Sequence, residues 1–91
     1  MAVLVWGNGH IENLNNARGI VIYKDYMVIA YDPGDISRID FEKEYDTTLT
    51  DEEIKILRNQ IALIMSNPQT VVDVHDLILV AKRRRSKNES E

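Results

Sequence analysis

Gly19–Tyr31 reads GIVIYKDYMVIAY, ten apolar or aromatic side chains interrupted only by Lys24-Asp25. β-Branched and aromatic residues at this density favour extended backbone, and a central polar pair is where two such strands would turn. The reading is a hairpin of segments 19–24 and 26–31. One face carries Val21, Tyr23, Tyr26, Val28 and Ala30, and the other carries Ile20, Ile22, Met27, Ile29 and Tyr31. Both faces are apolar, so both require cover.

Cover for one of them follows downstream. TTLTDEEIKILRNQIALIMSNP predicts a helix over 50–66, with Thr50 and Glu53 as a capping box and Ile54, Leu57, Ile61 and Ile64 at helical spacing. Asp51, Glu52 and Glu53 set negative charge against the positive end of its dipole. Between hairpin and helix, Ile36–Tyr45 alternates, placing Ile39, Phe41 and Tyr45 opposite Arg38, Asp40, Glu42 and Glu44. That pattern predicts a half-exposed strand over 36–44 with a row of carboxylates on its outer face. Upstream, Ala2–Trp6 predicts a short strand ending in the turn Gly7-Asn8-Gly9. His10 onward reads less clearly and soon becomes loop.

The segment after Thr70 echoes the hairpin. With Asp25 set over Asp76, residues 20–30 and 71–81 match in character, which predicts a second hairpin, 70–74 and 77–82, turning at His75-Asp76. The alternative is a second helix opened by Asn67-Pro68. The fold expected is therefore α+β: a small, mostly antiparallel sheet of five to six strands, including two related hairpins, with one amphipathic helix on one face.

Charge divides the chain. Residues 1–81, expected to form the single domain, hold six cations and thirteen acids, a net of −7. Residues 82–91 hold five cations and two acids, a net of +3, and read as a disordered basic and polar tail. Lys82, Arg83, Arg84, Arg85 and Lys87 could hold nucleic acid, but no aromatic residue stands among them to stack a base, so such binding would be weak and salt-sensitive.

Other function classes find little support. No apolar run approaches the roughly 20 residues that span a bilayer, and there is no cysteine. A cytoplasmic setting is expected, with no membrane partner. His10 and His75 are the only histidines, and Asp73 beside His75 makes an incomplete ligand set, so neither metal nor cofactor is expected. P-loop, nucleophile-elbow and zincin motifs are missing, and catalysis is not expected.

The functional expectation is a small, acidic, non-enzymatic module that docks on a protein partner as a regulator, inhibitor or adaptor. Asp40, Glu42, Glu44, Tyr23 and Tyr26 are the residues expected to meet that partner. A homodimer through the face of Val21, Tyr26 and Val28 is expected to cover the hairpin. The alternatives are a nucleic-acid accessory protein using the basic run, and a pocket for a small ligand between subunits.

Overall fold

In chain order the elements are β1 (Val3–Trp6), β2 (His10–Asn13), β3 (Ala17–Ile22), β4 (Tyr26–Tyr31), β5 (Ile36–Asp40), α1 (Phe41–Tyr45), α2 (Asp51–Met65), β6 (Val71–Asp73) and α3 (Val74–Glu89). The computed structural model describes residues 2–32, 34–67 and 70–89, with side chains through Arg84. The protein is α+β. Among the described residues six strands form two three-stranded sheets rather than one, ordered β2-β1-β6 and β3-β4-β5.

Lys24-Asp25 is indeed the turn. The Tyr23 N–H donates to the Tyr26 carbonyl at 2.8 Å, and Ile22 pairs with Met27 immediately beyond. β4 then pairs antiparallel with β5, so the meander faces follow the sequence alternation: Ile20, Ile22, Met27, Ile29 and Ile39 point inward. The other sheet is built on β1. It receives β2 through the Gly7-Asn8-Gly9 turn, where Gly7 and Gly9 take positive φ, and β6 in parallel register, Val3 opposite Val71.

α2 forms as its capping box dictates. The Glu53 N–H donates to Thr50 Oγ1 at 3.2 Å, and the Thr50 N–H donates to Glu53 Oε1 at 2.9 Å. Leu57, Ile61 and Ile64 then join Leu4, Trp6, Met27, Ile29, Ile39, Phe41, Leu77 and Ile78 in one core. The two sheets are also joined by a polar bond. The Tyr31 hydroxyl donates to the Glu12 carboxylate, and burial with this bond raises the Tyr31 pKa above the ordinary phenol value.

Two expectations are corrected. First, residues 77–82 are not a strand: only β6 pairs, and α3 replaces the second hairpin. Its buried residues Val74, Leu77, Ile78 and Ala81 recur at helical spacing, while His75, Asp76 and Leu79 face outward. Asp73 Oδ1 accepts the His75 N–H at 2.9 Å, turning the chain from strand into helix. Second, the strand predicted over 36–44 ends at Asp40. The Asp40 carboxylate accepts the Lys43 N–H at 3.1 Å and caps α1, so Asp40, Glu42 and Glu44 do not share a strand face. The basic run belongs to α3, which extends to Glu89. The Lys82 ammonium lies 3.3 Å from Glu53 Oε1 and donates to the Thr48 carbonyl at 3.0 Å. Glu53 is 1 % exposed, so this contact neutralises a buried carboxylate.

Candidate functional site

From β3, β4 and β5, Met27, Ile29 and Ile39 belong to the core and Ala17, Ile20, Ile22 and Tyr31 pack against it. β4 lies in the middle of its sheet, so its register fixes what stands on the outer face: Val28 sits between Val21 and Arg38, Ala30 between Gly19 and Ile36, and Tyr26 beside Asp40. Val21 is 51 % exposed, Tyr23 44 % and Ile36 69 %. An apolar face so open is where a soluble domain commonly receives another molecule.

The rings and charges on this face are already organised. Tyr23 and Tyr26 stack with centroids 4.7 Å apart, one on each side of the turn. The Arg38 guanidinium lies 4.0 Å above the Tyr26 ring and 3.9 Å from the Asp40 carboxylate. Tyrosine and arginine are the residue types that carry binding energy at protein interfaces, because each combines large contact area with few torsions or a planar donor set.

β5 leads from this face to a polar region. Arg38, Asp40, Lys43 and Glu44 line a recess with Trp6 and His10, whose rings stack at 4.0 Å. Next to it, Gly7, Asn8, Lys43, Glu44, Tyr45, Asp46, Asp73 and His75 border a half-open cleft of about 520 Å³. Tyr45 stacks on His75 at 5.2 Å, and its hydroxyl oxygen accepts the Gly7 N–H at 3.1 Å. Burial raises the Tyr45 pKa, the Gly7 hydrogen bond lowers it, and the Asp73 and Glu44 charges raise it further. The cleft mixes carboxylates with a lysine and an imidazole, and no nucleophile–base pair is hydrogen-bonded within it. Among the described residues no three histidine, aspartate or glutamate side chains stand close enough together to hold a metal ion.

The structure therefore brings Tyr23, Tyr26, Val21 and Val28 onto one face, as the alternation predicted, with Asp40 at its rim. It moves Glu42 and Glu44 onto α1, where both are exposed and Glu44 turns to the cleft. Lys82 is committed to Glu53, Arg83 and Arg84 are exposed on α3, and the side chains of Arg85 and Lys87 lie outside the described residues. Sequence reasoning missed Arg38 and Ile36 as members of the face. Alternation through Ser37 and Ile39 puts Ile36, Arg38 and Asp40 on one side of β5, and it is the register with β4 that adds them to the face.

The sheet β2-β1-β6 also has an outer face, with Ile11 and Val71 exposed and Val3 and Val5 half-buried. It carries no aromatic residue or arginine, and β6 contributes only three residues to it. Among the described residues no helix is long and apolar enough to cross a membrane. No family model, curated protein or solved structure matches this chain.

Proposed function

We propose that this protein is a non-enzymatic docking module that binds a protein partner through the outer face of β3-β4-β5, as a regulator, inhibitor or adaptor. The observation that carries the reading is the open face itself: two stacked tyrosines and a poised arginine among Val21, Val28 and Ile36. Its size sets the strength. Three strands about 4.8 Å apart and six residues rising about 3.3 Å each give a footprint of roughly 280 Å². A standard stable interface takes about 800 Å² from each partner. Binding through this face alone is thus of the weak, reversible kind used in regulation. The basic stretch of α3 supports a second reading, nucleic-acid association, since Arg83 and Arg84 are exposed on a helix.

The test compares the full chain with its Tyr26→Glu/Val28→Glu variant as bait in nuclease-treated extract of the source cells. Circular dichroism first establishes that both baits fold. A protein held by the native face and depleted about tenfold or more on the variant, the loss expected from charging a contact residue at the centre of an interface, supports docking. Capture that is equal on both baits overturns it, and capture seen only in parallel extract left untreated with nuclease transfers the function to α3.

A further inference from the structure

The open face has a covered counterpart on the same sheet, and that counterpart indicates what fits. The inner side of β3-β4-β5 faces the core, where Arg58, Ile61, Ala62 and Met65 of α2, fifteen residues and about 22 Å long, lie beside Ile20 and Ile22 of β3. The outer side has the same strands and the same length, roughly 20 Å by 14 Å. A single helix, about 10–12 Å in diameter, is of a size to lie along it, as α2 lies beside β3 on the inner side.

Charge restricts the occupant further. Between Arg18 and Glu44 the acids are Asp25, Asp32, Asp35, Asp40, Glu42 and Glu44, six against the four cations Arg18, Lys24, Arg38 and Lys43, a net of −2. Asp25 lies at the β3–β4 turn, Asp32 and Asp35 at the β4–β5 connection, Asp40 at the end of β5 and Glu42 on α1, with Asp32 paired to Arg18 at 3.4 Å and Asp40 to Arg38 at 3.9 Å, while Glu44 turns to the cleft beside Gly7. The Phe41 N–H donates to the Asp25 carbonyl at 2.9 Å, which draws the α1 acids to the turn end of the sheet.

A second copy of the chain fits poorly. An isologous contact would set this acidic rim against itself, and its footprint would be well under the roughly 800 Å² per subunit of a stable dimer. The chain's own basic run does not serve either, since Arg83–Glu89 contains no apolar side chain to lay on Val21, Val28 and Ile36.

We infer that the occupant is an amphipathic helix of about four turns from a protein partner, apolar toward Val21, Tyr26, Val28 and Ile36 and flanked by lysine or arginine that meets the acidic rim. This rests on the docking function proposed above and names the chemistry of its partner. Recognition would follow the helix-in-groove mode, with anchors at i, i+3, i+4 and i+7.

Three synthetic probes test it against the full chain: a fifteen-residue helical peptide with a leucine stripe and lysine flanks, its glutamate-flanked twin, and an extended peptide of alternating valine and lysine. Fluorescence anisotropy at low and physiological salt gives affinities, and amide chemical shifts give the site. The expected result is binding of the lysine-flanked helix with shifts centred on Val21, Val28 and Arg38. Affinity should fall about tenfold for the glutamate twin, fall similarly for Val28→Glu, and weaken with salt.

Equal affinity for both helices, stronger binding of the extended peptide at a strand edge, or shifts away from this face would each overturn the inference. So would a dimer in light scattering that Val28→Glu dissociates. Failure of all three peptides while the bait experiment still loses a partner on the variant rejects the helical occupant alone. Absence of any face-dependent partner rejects the docking function together with it.

Discussion

Residues 20–31 and 71–82 run in parallel down to their chemistry. Each opens on a pair of β-branched apolar residues, reaches a basic or imidazole side chain followed by aspartate, continues through four apolar residues to an alanine, and ends on a side chain bonded to a carboxylate. Tyr31 reaches Glu12 and Lys82 reaches Glu53. The first region is a hairpin and the second is a three-residue strand followed by a helix. The difference lies in which neighbours are available. Ile20–Ala30 has β5 to pair with on its far side, so alternate residues go inward. Val71–Asp73 finds one strand, β1, and beyond it α2, against which only a helical stripe can be buried.

Paired substitutions test this contrast, because aligned positions should respond oppositely. The largest gap is expected at Ile29 and Val80. Ile29 is 0 % exposed, and Ile29→Ala should cost about 3 kcal/mol. Val80 is half-buried, and Val80→Ala should cost about 1 kcal/mol or less. Urea unfolding of both variants measures the gap, and equal losses would mean that alternation governs both regions. The order inverts at Tyr23 and Val74. Val74→Ala should cost about 2 kcal/mol, because its side chain is wholly buried, whereas Tyr23→Ala should stay below about 1 kcal/mol.

The two terminal bonds supply smaller effects. Lys82→Ala strips the ammonium from a buried carboxylate that keeps its Thr50 N–H, while the lysine side chain was itself 35 % exposed. Partial exposure discounts the full penalty of a broken buried pair, leaving about 1–2 kcal/mol, read as a lowered thermal midpoint. Tyr31→Phe should cost about 1 kcal/mol near neutrality, and its signature is the pH dependence. The folded state holds the phenol proton more tightly than the unfolded chain does. The unfolded chain therefore loses that proton first as pH rises through about 10. The Tyr31 contribution is complete below that pH and declines progressively above it, toward the raised folded-state value, so the midpoints of native and Tyr31→Phe protein should keep a constant gap up to about pH 9 and draw together only above about pH 10.

The hairpin and α2 were legible because their signals are local: a polar pair amid strand formers, and a hydroxyl three residues before a glutamate. α3 was not. Val71, Val72, Val74, Leu77, Ile78, Leu79 and Val80 surround the helix axis, so periodicity could not separate helix from strand, and Leu79 does remain 43 % exposed. α1 was hidden for the opposite reason. The alternation of Ile39, Phe41 and Tyr45 runs smoothly across the point where Asp40 caps a helical turn, and Phe41 is buried in either geometry. Of the candidate face, Val21, Tyr26 and Val28 followed from the hairpin alone. Arg38 needed the register with Val28, and the Glu12–Tyr31 bond needed the relative placement of two sheets. Neither is a property of neighbouring residues.

The parallel pairing of β1 with β6 has a kinetic side. Val3 waits for Val71, sixty-eight residues further along the chain. At a translation rate of about 5–20 residues per second, roughly 3–14 s separate the two. For that interval β1 has only β2 beside it, and a lone two-stranded ribbon is marginal in water. Leu4 and Trp6 belong to the finished core, so β1 is made well before the partner that secures it. A nascent chain halted before Asp73 would carry a completed meander beside an N-terminal ribbon still open along one edge, and that edge is where nascent-chain aggregation would begin.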